Sequence, residues 1–458
     1  MFQKDTIFAL STCYGKSGIA IIKVSGPNAL KVLESFSFKK DVIDRIATLG
    51  KIYAKNLDII DEVIVIYFPQ NSSYTGEDTV ELQTHGGIAI INFILYELNS
   101  FSYLRLATNG EFTRMALENN KISLNKAESL IELINSESEY QRKVAIRNYN
   151  GELEHSYFLW RHDMIELLSM SEAYIDFPDD LLDNNVLKEL NQKIRKLKFN
   201  LEENIKLFGS TNKLMNGINL CIAGLTNVGK STLMNFLSKK ETSIISDIKG
   251  TTRDVIQTKI EISGIPVILQ DTAGIRITKN KVENIGIKKG RNLIEHSDII
   301  IFMLDIDHTS NLRTLLQVQK LLNATSKVLI YVNKIDLIID YEHLKERLIK
   351  KLKEINFQYE DIIFFSLKYN NNQAIIQSIE KIVNNFVPSL DAHLITNIRH
   401  QNKLNSCNNY LQKALDTKIL DLKTEELRAC AKELGLLLGD ISPEEVLDKI
   451  FSSFCIGK

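Results

Sequence analysis

Apolar residues recur along the chain with two periods, and the places where the period changes mark out its parts. Over residues 1–120, short runs alternate or are continuously apolar. TIFALS, GIAIIKVSG, EVIVIYFP and VELQTHGG read as strands, with glycine-bearing turns and a helix at PNALKVLESF between them. From Lys121 to Lys213 the spacing becomes three-to-four, through KISLNKAESLIELINSESEYQRKVAIRNY and HSYFLWRHDMIELLSMSEAYIDF, which predicts long helices, with Pro178 stopping the second. Residues 216–386 return to buried strands alternating with amphipathic helices, an α/β pattern. A last helical run covers DLKTEELRACAKELGLLLGDISPEEVLDKIF. Helices on both sides of the second α/β region suggest that it is inserted into a helical domain.

The strands of that region end in chemistry. GINLCIAG runs into GLTNVGKS, Gly224–Ser231, which fits GxxxxGK[ST] and opens the helix STLMNFLSKK. Glycines there let backbone N–H groups wrap phosphates at a helix N-terminus. Lys230 reaches the β- and γ-phosphates, and the Ser231 hydroxyl offers an oxygen to Mg2+. GTTRD follows at Gly250–Asp254, and IPVILQDTAG places Asp271 where it can hold Mg2+ through water. SKVLIYVNKID delivers Asn333, Lys334 and Asp336. The Asp336 carboxylate can accept two hydrogen bonds from guanine, a pair adenine does not offer, while Asn333 and Lys334 orient and cover the ring. DIIFFSLK adds a final loop at Ser366, Leu367 and Lys368. Ligands of such sheets bind at the carboxyl ends of the strands. The four motifs in order spell a guanine-nucleotide switch.

Ile275 follows Gly274, where many GTPases carry a water-orienting glutamine, so another group must position the attacking water. In IRITKNKVENIGIKKG, Glu283 is the strongest carboxylate for that task, although its residues alone read more readily as a solvated helix charge; Arg276 is similarly ambiguous. Asn227 and the stretch SIISDIKGTTRD suggest a monovalent cation beside the phosphates in place of an arginine finger. Asn227 reads as readily as a loop-capping amide.

Composition narrows the setting. The 458 residues suit two or three domains. With 56 basic and 57 acidic residues, a net charge of −1 leaves no global basic field for nucleic acid, so any RNA contact must be local. The five cysteines at 13, 221, 407, 430 and 455 have no CxxC spacing, which reads as reduced, cytosolic usage without a zinc site. No apolar run approaches a membrane span, and the N-terminus lacks a signal or transit pattern, so a soluble cytoplasmic protein without membrane association is expected. Cys455 is fourth from the end, but the glycine and terminal lysine of FCIGK do not suit prenylation.

FSSFCIGK, together with the G motifs, YTGEDTVELQTHGG at Tyr74–Gly87 and NGEFTRMALENNKISLNKAE at Asn109–Glu128, resembles the MnmE (TrmE) tRNA modification GTPases along the whole chain. The resemblance implies a multidomain α/β plus all-α fold. An N-terminal α/β folate-binding and dimerisation domain (1–120) is followed by the first part of a helical domain (121–215). An inserted P-loop, Ras-like α/β GTPase domain (216–386) comes next, then the second part of the helical domain with the FCIGK tail (387–458). It implies a potassium-dependent GTPase, a homodimer that works with the flavoprotein MnmG in a heterotetramer or larger complex. Its implied product is an aminomethyl or carboxymethylaminomethyl group on C5 of the wobble uridine of certain tRNAs.

The same resemblance assigns residues. GTP binding falls on Asn227, Val228, Gly229, Lys230, Ser231 and Thr232; on Ser246, Asp247, Ile248, Lys249, Gly250, Thr251 and Thr252; on Asp271, Thr272, Ala273 and Gly274; and on Asn333, Lys334 and Asp336. Mg2+ falls to Ser231 and Thr252, and K+ to Asn227, Ser246, Ile248 and Thr251. Glu283 takes the water-orienting role, and Cys455 a role in modification. The folate, 5-formyl- or methylene-tetrahydrofolate, falls on Lys23, Glu81, Lys121 and Lys458, where glutamate can bond a pterin edge and lysines can meet glutamyl carboxylates. Three departures from the family pattern stand out: Lys23 for an arginine, GKSG at Gly15–Gly18 for GRGG, and Leu367 for an alanine. Two other functions share some of these features. An Era-type ribosome-assembly GTPase would add an RNA-binding module, and a folate-dependent one-carbon transferase with a regulatory G domain would need no GTP turnover.

Overall fold

The computed structural model describes residues 5–176, 184–225, 227–240, 257–271, 292–305, 319–320, 322–323, 325–338, 342–369, 373–387, 395–439, 451–452 and 454–457. The chain divides into two compact units. One comprises Met1–Ile134, Ile146–Ile194 and Asn409–Lys458; the other comprises Asn135–Ala145 and Arg195–Asn408.

The first unit is built on a six-stranded sheet. Its strands are β1 (Thr6–Leu10), β2 (Ile19–Ser25), β3 (Thr48–Tyr53), β4 (Ile59–Phe68), β5 (Thr79–His85) and β6 (Leu104–Leu106), in the order β3-β4-β5-β2-β1-β6. All neighbours are antiparallel except β1 and β6. Alternation decides which face is buried: Phe8, Ile22, Val24, Val63, Val65, Val80 and Leu82 share one core with Val32 of helix α1 (Lys31–Ser35) and with Ile94 and Leu98 of helix α2 (Ile88–Asn99). Ile7 and Ala9, pointing the other way, pack with Ala107 and with Phe112 of α3 (Glu111–Glu118). This unit also holds α4 (Leu124–Ile134), α6 (Glu152–Asp176) and α12 (Leu420–Leu438), while residues of α5 (Glu139–Tyr149), α7 (Asn184–Asn216) and α11 (Ile398–Asp416) fall in both units.

Ser171 of α6 meets Thr424 of α12 in a buried hydroxyl pair. Next to it, Lys423 is buried, and its ammonium donates to the Asn191 side chain at 2.9 Å and to the Ala414 carbonyl near the end of α11. Burial pushes the Lys423 pKa down.

The second unit carries β7 (Ile218–Gly224), α8 (Lys230–Lys240), β8 (Gln257–Ile262), β9 (Ile265–Asp271), β10 (Ile299–Asp305), β11 (Lys327–Asn333), α9 (Glu342–Glu354), β12 (Asp361–Phe364) and α10 (Gln373–Asn384). The sheet order is β12-β11-β10-β7-β9-β8, parallel throughout except for the β8–β9 pair. Every residue of β10 is buried, as a strand covered on both faces requires. Ile299, Ile301 and Met303 enter one core and Ile300, Phe302 and Leu304 the other. Each such side chain contributes about 1.5–3 kcal/mol by leaving water.

The helix expected through 121–149 is two helices. Between them Ser138 begins α5: its hydroxyl accepts from the Gln141 backbone N–H at 3.3 Å, and the Gln141 side chain accepts from the Glu137 N–H at 2.7 Å. That capping arrangement satisfies N–H groups a continuous helix would have paired internally. The last helical run likewise stops at Leu438, where Gly439 supplies the C-cap. Strands β3, β6 and β8 and helices α2 and α3 add to the elements expected from the apolar pattern. No described helix is long and apolar enough to cross a membrane.

At the end of β5 the exposed His85 ring meets the buried Asp61 carboxylate at 2.7 Å, and this hydrogen bond, aided by the negative charge, raises the His85 pKa above 6.5. A raised histidine pKa contributes stability that is fully present below pH 6.5 and is lost as pH rises through the folded value. Wild type is therefore expected to melt above His85→Gln at pH 6 and together with it at pH 9. The gap should shrink in high salt because the ring is exposed. An equal gap at both pH values in paired melting curves would discard the ion pair as its source.

Candidate functional site

Three loops at the carboxyl ends of β7, β11 and β12 are tied by one side chain. Asn333, 5% exposed, donates from Nδ2 to the Val228 carbonyl at 2.8 Å and accepts the Leu367 N–H on Oδ1 at 3.2 Å. Gly229 lies directly beneath it. A Cβ there would sit 2.5 Å from Asn333 Nδ2, and the residue has φ +105°, so both the close approach and the backbone demand glycine. Asn227, with φ +62°, sits at the head of the same loop in the left-handed region that asparagine tolerates.

Lys230 opens α8 and is buried, its ammonium donating to the Gly224 carbonyl at 3.0 Å and the Leu225 carbonyl at 2.6 Å. Phosphate oxygens offer a stronger, charge-assisted alternative to those two carbonyls. Ser231 and Thr232 follow on the exposed first turn of α8. Asp336 accepts a 2.6 Å hydrogen bond from the Ser366 hydroxyl on Oδ1 and faces the Lys368 ammonium at 3.9 Å on Oδ2. Lys334 is held by a 3.0 Å ion pair to Asp305, a buried carboxylate at the end of β10. The loop after β11 is thus fixed from β10, β11 and β12 together. Asp305 and Ser366 do this positioning, and spacing alone gave no sign of the Lys334–Asp305 pair.

Of the expected residues, Asn227, Val228, Gly229, Lys230, Ser231, Thr232, Asn333, Lys334 and Asp336 belong to this carboxyl edge. Ser246, Asp247, Ile248, Lys249, Gly250, Thr251, Thr252, Thr272, Ala273, Gly274, Arg276 and Glu283 lie outside the described residues, as does the side chain of Asp271. Most of the proposed magnesium and potassium ligands fall there.

In the first unit, a cavity of about 460 Å³ is lined by Lys23, Phe68, Tyr74, Thr75, Thr79, Glu81, Phe112 and Thr113, with Ser72, Ser73 and Leu130 completing it. Lys23 and Glu81 are opposite each other on β2 and β5, and their charged groups stand 3.6 Å apart. Thr75 and Thr79 share a buried hydroxyl cluster with Ser25, at 2.7 and 2.8 Å. Tyr74 donates to Thr113 at 3.0 Å, and burial raises its pKa. Lys121 reaches the Asn71 carbonyl at 3.0 Å, beside the cavity rim at Ser72 and Ser73. One carboxylate, one ammonium, several hydroxyls and aromatic walls suit a flat, polar-edged heterocycle with an acidic tail. Tyr74, Phe112 and Thr113 were missed as lining residues, though YTGED and NGEFTR were the segments to parse for them. Lys458 lies outside the described residues, and Cys455 is exposed on the tail.

A doubly wound sheet with a glycine-rich loop after β7 and an N-K-x-D loop after β11 defines a guanine-nucleotide-binding P-loop protein. Comparison with known families resolves which kind. Residues 6–121 match the model for the N-terminus of the GTP-binding protein TrmE, and residues 124–455 match the MnmE helical domain. A tRNA modification GTPase MnmE from Wolbachia sp. subsp. Brugia malayi is 38% identical over 461 residues, covering 100% of both chains. Its counterpart in Rickettsia rickettsii is 38% identical over 464 residues, covering 99% of this chain and 100% of its own. The crystal structure of an Aquifex aeolicus Era variant bound to GDP and aluminium fluoride shows a fainter likeness, with 22% identity and a TM-score of 0.30 over 48% of this chain and 89% of that one. The chain belongs to the MnmE family of tRNA modification GTPases, and it is a GTP hydrolase.

If the Asp336 carboxylate reads the base, removing it should abolish nucleotide choice. Asp336→Ala is expected to lower GTP affinity by roughly 30-fold or more, towards that for ATP, and Ser366→Ala to lower it by about 3–10-fold through loss of one charge-assisted hydrogen bond. Titration with a fluorescent GTP analogue reads both, and unchanged GTP-over-ATP preference in Asp336→Ala would remove that residue from base recognition.

Proposed function

We propose that the chain uses GTP hydrolysis to drive modification of tRNA. With the flavoprotein MnmG, it adds an aminomethyl or carboxymethylaminomethyl group to C5 of the wobble uridine. The observation that carries this reading is the coincidence, in one chain similar to MnmE from end to end, of a preassembled guanine loop and a cavity that pairs Lys23 with Glu81.

In this reading, Asp336 selects guanine while Ser366 holds its carboxylate in place, and Asn333 keeps the phosphate loop at a fixed distance from the base loop. Lys230 exchanges two backbone carbonyls for phosphate oxygens. Ser231 and Thr252 hold Mg2+, and Asn227, Ser246, Ile248 and Thr251 hold K+. Those ions supply positive charge to the phosphates when bound. Glu283 orients the water. The Lys23–Glu81 cavity takes a tetrahydrofolate, 5-formyl or methylene: Glu81 meets the aminopyrimidine edge, Lys23, Lys121 and Lys458 the acidic parts, and Tyr74 and Phe112 the ring faces. Cys455 serves the modification step. The protein works as a cytoplasmic homodimer, divided into segments 1–120, 121–215, 216–386 and 387–458.

Mass spectrometry of bulk tRNA from cells lacking this chain should show loss of the C5 modification, restored by wild type. Cells rescued with Cys455→Ser should stay unmodified. Unchanged nucleosides after deletion would overturn the tRNA reading and favour ribosome assembly. GTPase rates should fall at least about tenfold when sodium replaces potassium, and equal rates would remove the cation. Glu81→Gln should weaken tetrahydrofolate binding by about tenfold while leaving GTP turnover intact, as read by calorimetry; undiminished folate affinity would empty the cavity of that role.

A further inference from the structure

Two of the five cysteines are exposed, Cys13 and Cys455, while Cys221, Cys407 and Cys430 are buried. The exposed pair lies far apart in sequence, and the docking of the tail on β1 brings their two segments together. Phe451 and Phe454 are buried, with ring centroids 5.9 Å apart, and anchor the tail. Ile456 forms an antiparallel bridge with Asn109, and the Gly110 N–H points to the Cys455 carbonyl at 3.5 Å. Ser11 donates from its hydroxyl to the Gly457 carbonyl at 3.0 Å. Gly457 has φ +98°, and a Cβ on it would lie 2.3 Å from the Leu10 carbonyl oxygen, so the tail lies directly against the end of β1.

Register then sets the level of each thiol. Strand β1 runs parallel to β6 with Thr6 opposite Leu104 and Phe8 opposite Leu106. The Ala107 N–H continues this pairing to the Phe8 carbonyl at 2.9 Å. The tail runs antiparallel to the segment after β6, and Gly457 falls at Leu10–Ser11, as its contacts show, so Cys455 stands two residues before that contact and Cys13 two residues after Ser11. Both side chains face solvent at that open end. Closure across this contact requires the two Cα atoms to come within the span of a disulfide, about 4.4–6.8 Å.

We propose that Cys13 and Cys455 form a dithiol site that reacts with low-molecular-weight disulfides and closes to an intramolecular disulfide across the tail. The Cys455 thiolate attacks one sulfur of glutathione disulfide, forming a mixed disulfide and releasing one glutathione thiolate. The Cys13 thiolate then attacks the Cys455 sulfur; the bond to glutathione breaks and the second glutathione leaves. The two protein thiols lose two electrons and two protons, and both glutathiones leave reduced and protonated. Closure removes the Cys455 thiol from any chemistry it serves and staples the tail to β1. A reducing thiol reverses it.

The full-length native chain incubated with glutathione disulfide, then alkylated and mapped without reduction, tests the assignment. Wild type should give a monomer lighter by two hydrogens, with one cross-linked peptide pair holding Cys13 and Cys455. Cys13→Ser should instead retain one glutathione on Cys455 and release it at least about tenfold more slowly, since the resolving thiol is gone. Cys455→Ser should retain the adduct on Cys13. Persistent double adducts on wild type, a bond between two chains, no reaction at either thiol, or equal glutathione release by wild type and Cys13→Ser would each overturn the proposal. None of these readouts involves tRNA or GTP, so they separate this site from the activity proposed above.

Discussion

The side-chain amide of Asn333 is the constraint on which the nucleotide-binding edge depends. Its two ends engage Val228 and Leu367, so a single planar group sets the distance between the phosphate loop and the last loop of the sheet. The bond to Val228 is buried and the one from Leu367 partly so; inside the protein a lost partner leaves a backbone group unsatisfied at a cost of about 1–3 kcal/mol. The amide can do this because β11, which ends in it, is locked in register between β10 and β12, and because Gly229 has no side chain to hold it away. Leu367 has an additional effect: its side chain reaches to within van der Waals range of the Gly229 position, packing the last loop onto the phosphate loop.

The first unit solves a different electrostatic problem. A cavity with aromatic walls penalises an isolated charge, and Lys23 and Glu81 avoid that by standing opposite each other on neighbouring strands. The turn that closes the cavity is held from outside. Asn119 donates to the Thr75 carbonyl at 2.8 Å, and its Cβ lies where a side chain on Gly76 would have to be. The hydroxyls of Ser25, Thr75 and Thr79 satisfy one another, which lets polar groups line the wall without water.

Much of this was legible in the sequence because the G motifs join backbone geometry to chemistry at fixed spacing. The strands of the second unit declared themselves by continuous apolar runs, as buried parallel strands must. Strand β3 did not, since TLGKIY buries only alternate residues and includes Gly50, which leaves room for the Phe38 ring. The break before α5 was written in S-E-Y-Q, but the helical period on both sides masked it. Lys23 and Glu81 were nameable only through family resemblance. Their mutual contact and the Tyr74–Thr113 wall come from strand register and from a turn that brings distant segments together, which no local pattern encodes. The Lys334–Asp305 pair is of the same kind, joining the ends of two paired strands across 29 residues of chain.

The contact between Ser11 and Gly457 spans 446 residues of chain. During synthesis at roughly 5–20 residues per second, β1 emerges on the order of 20–90 s before the segment that covers its end. For that interval the edge of the sheet beside Leu10 lacks its final partner, and its backbone groups are open to water, to chaperones or to the strands of other nascent chains. The N-terminal sheet is thus laid down long before the segment that covers the end of β1, and a ribosome that stalls between the two leaves an open seam there.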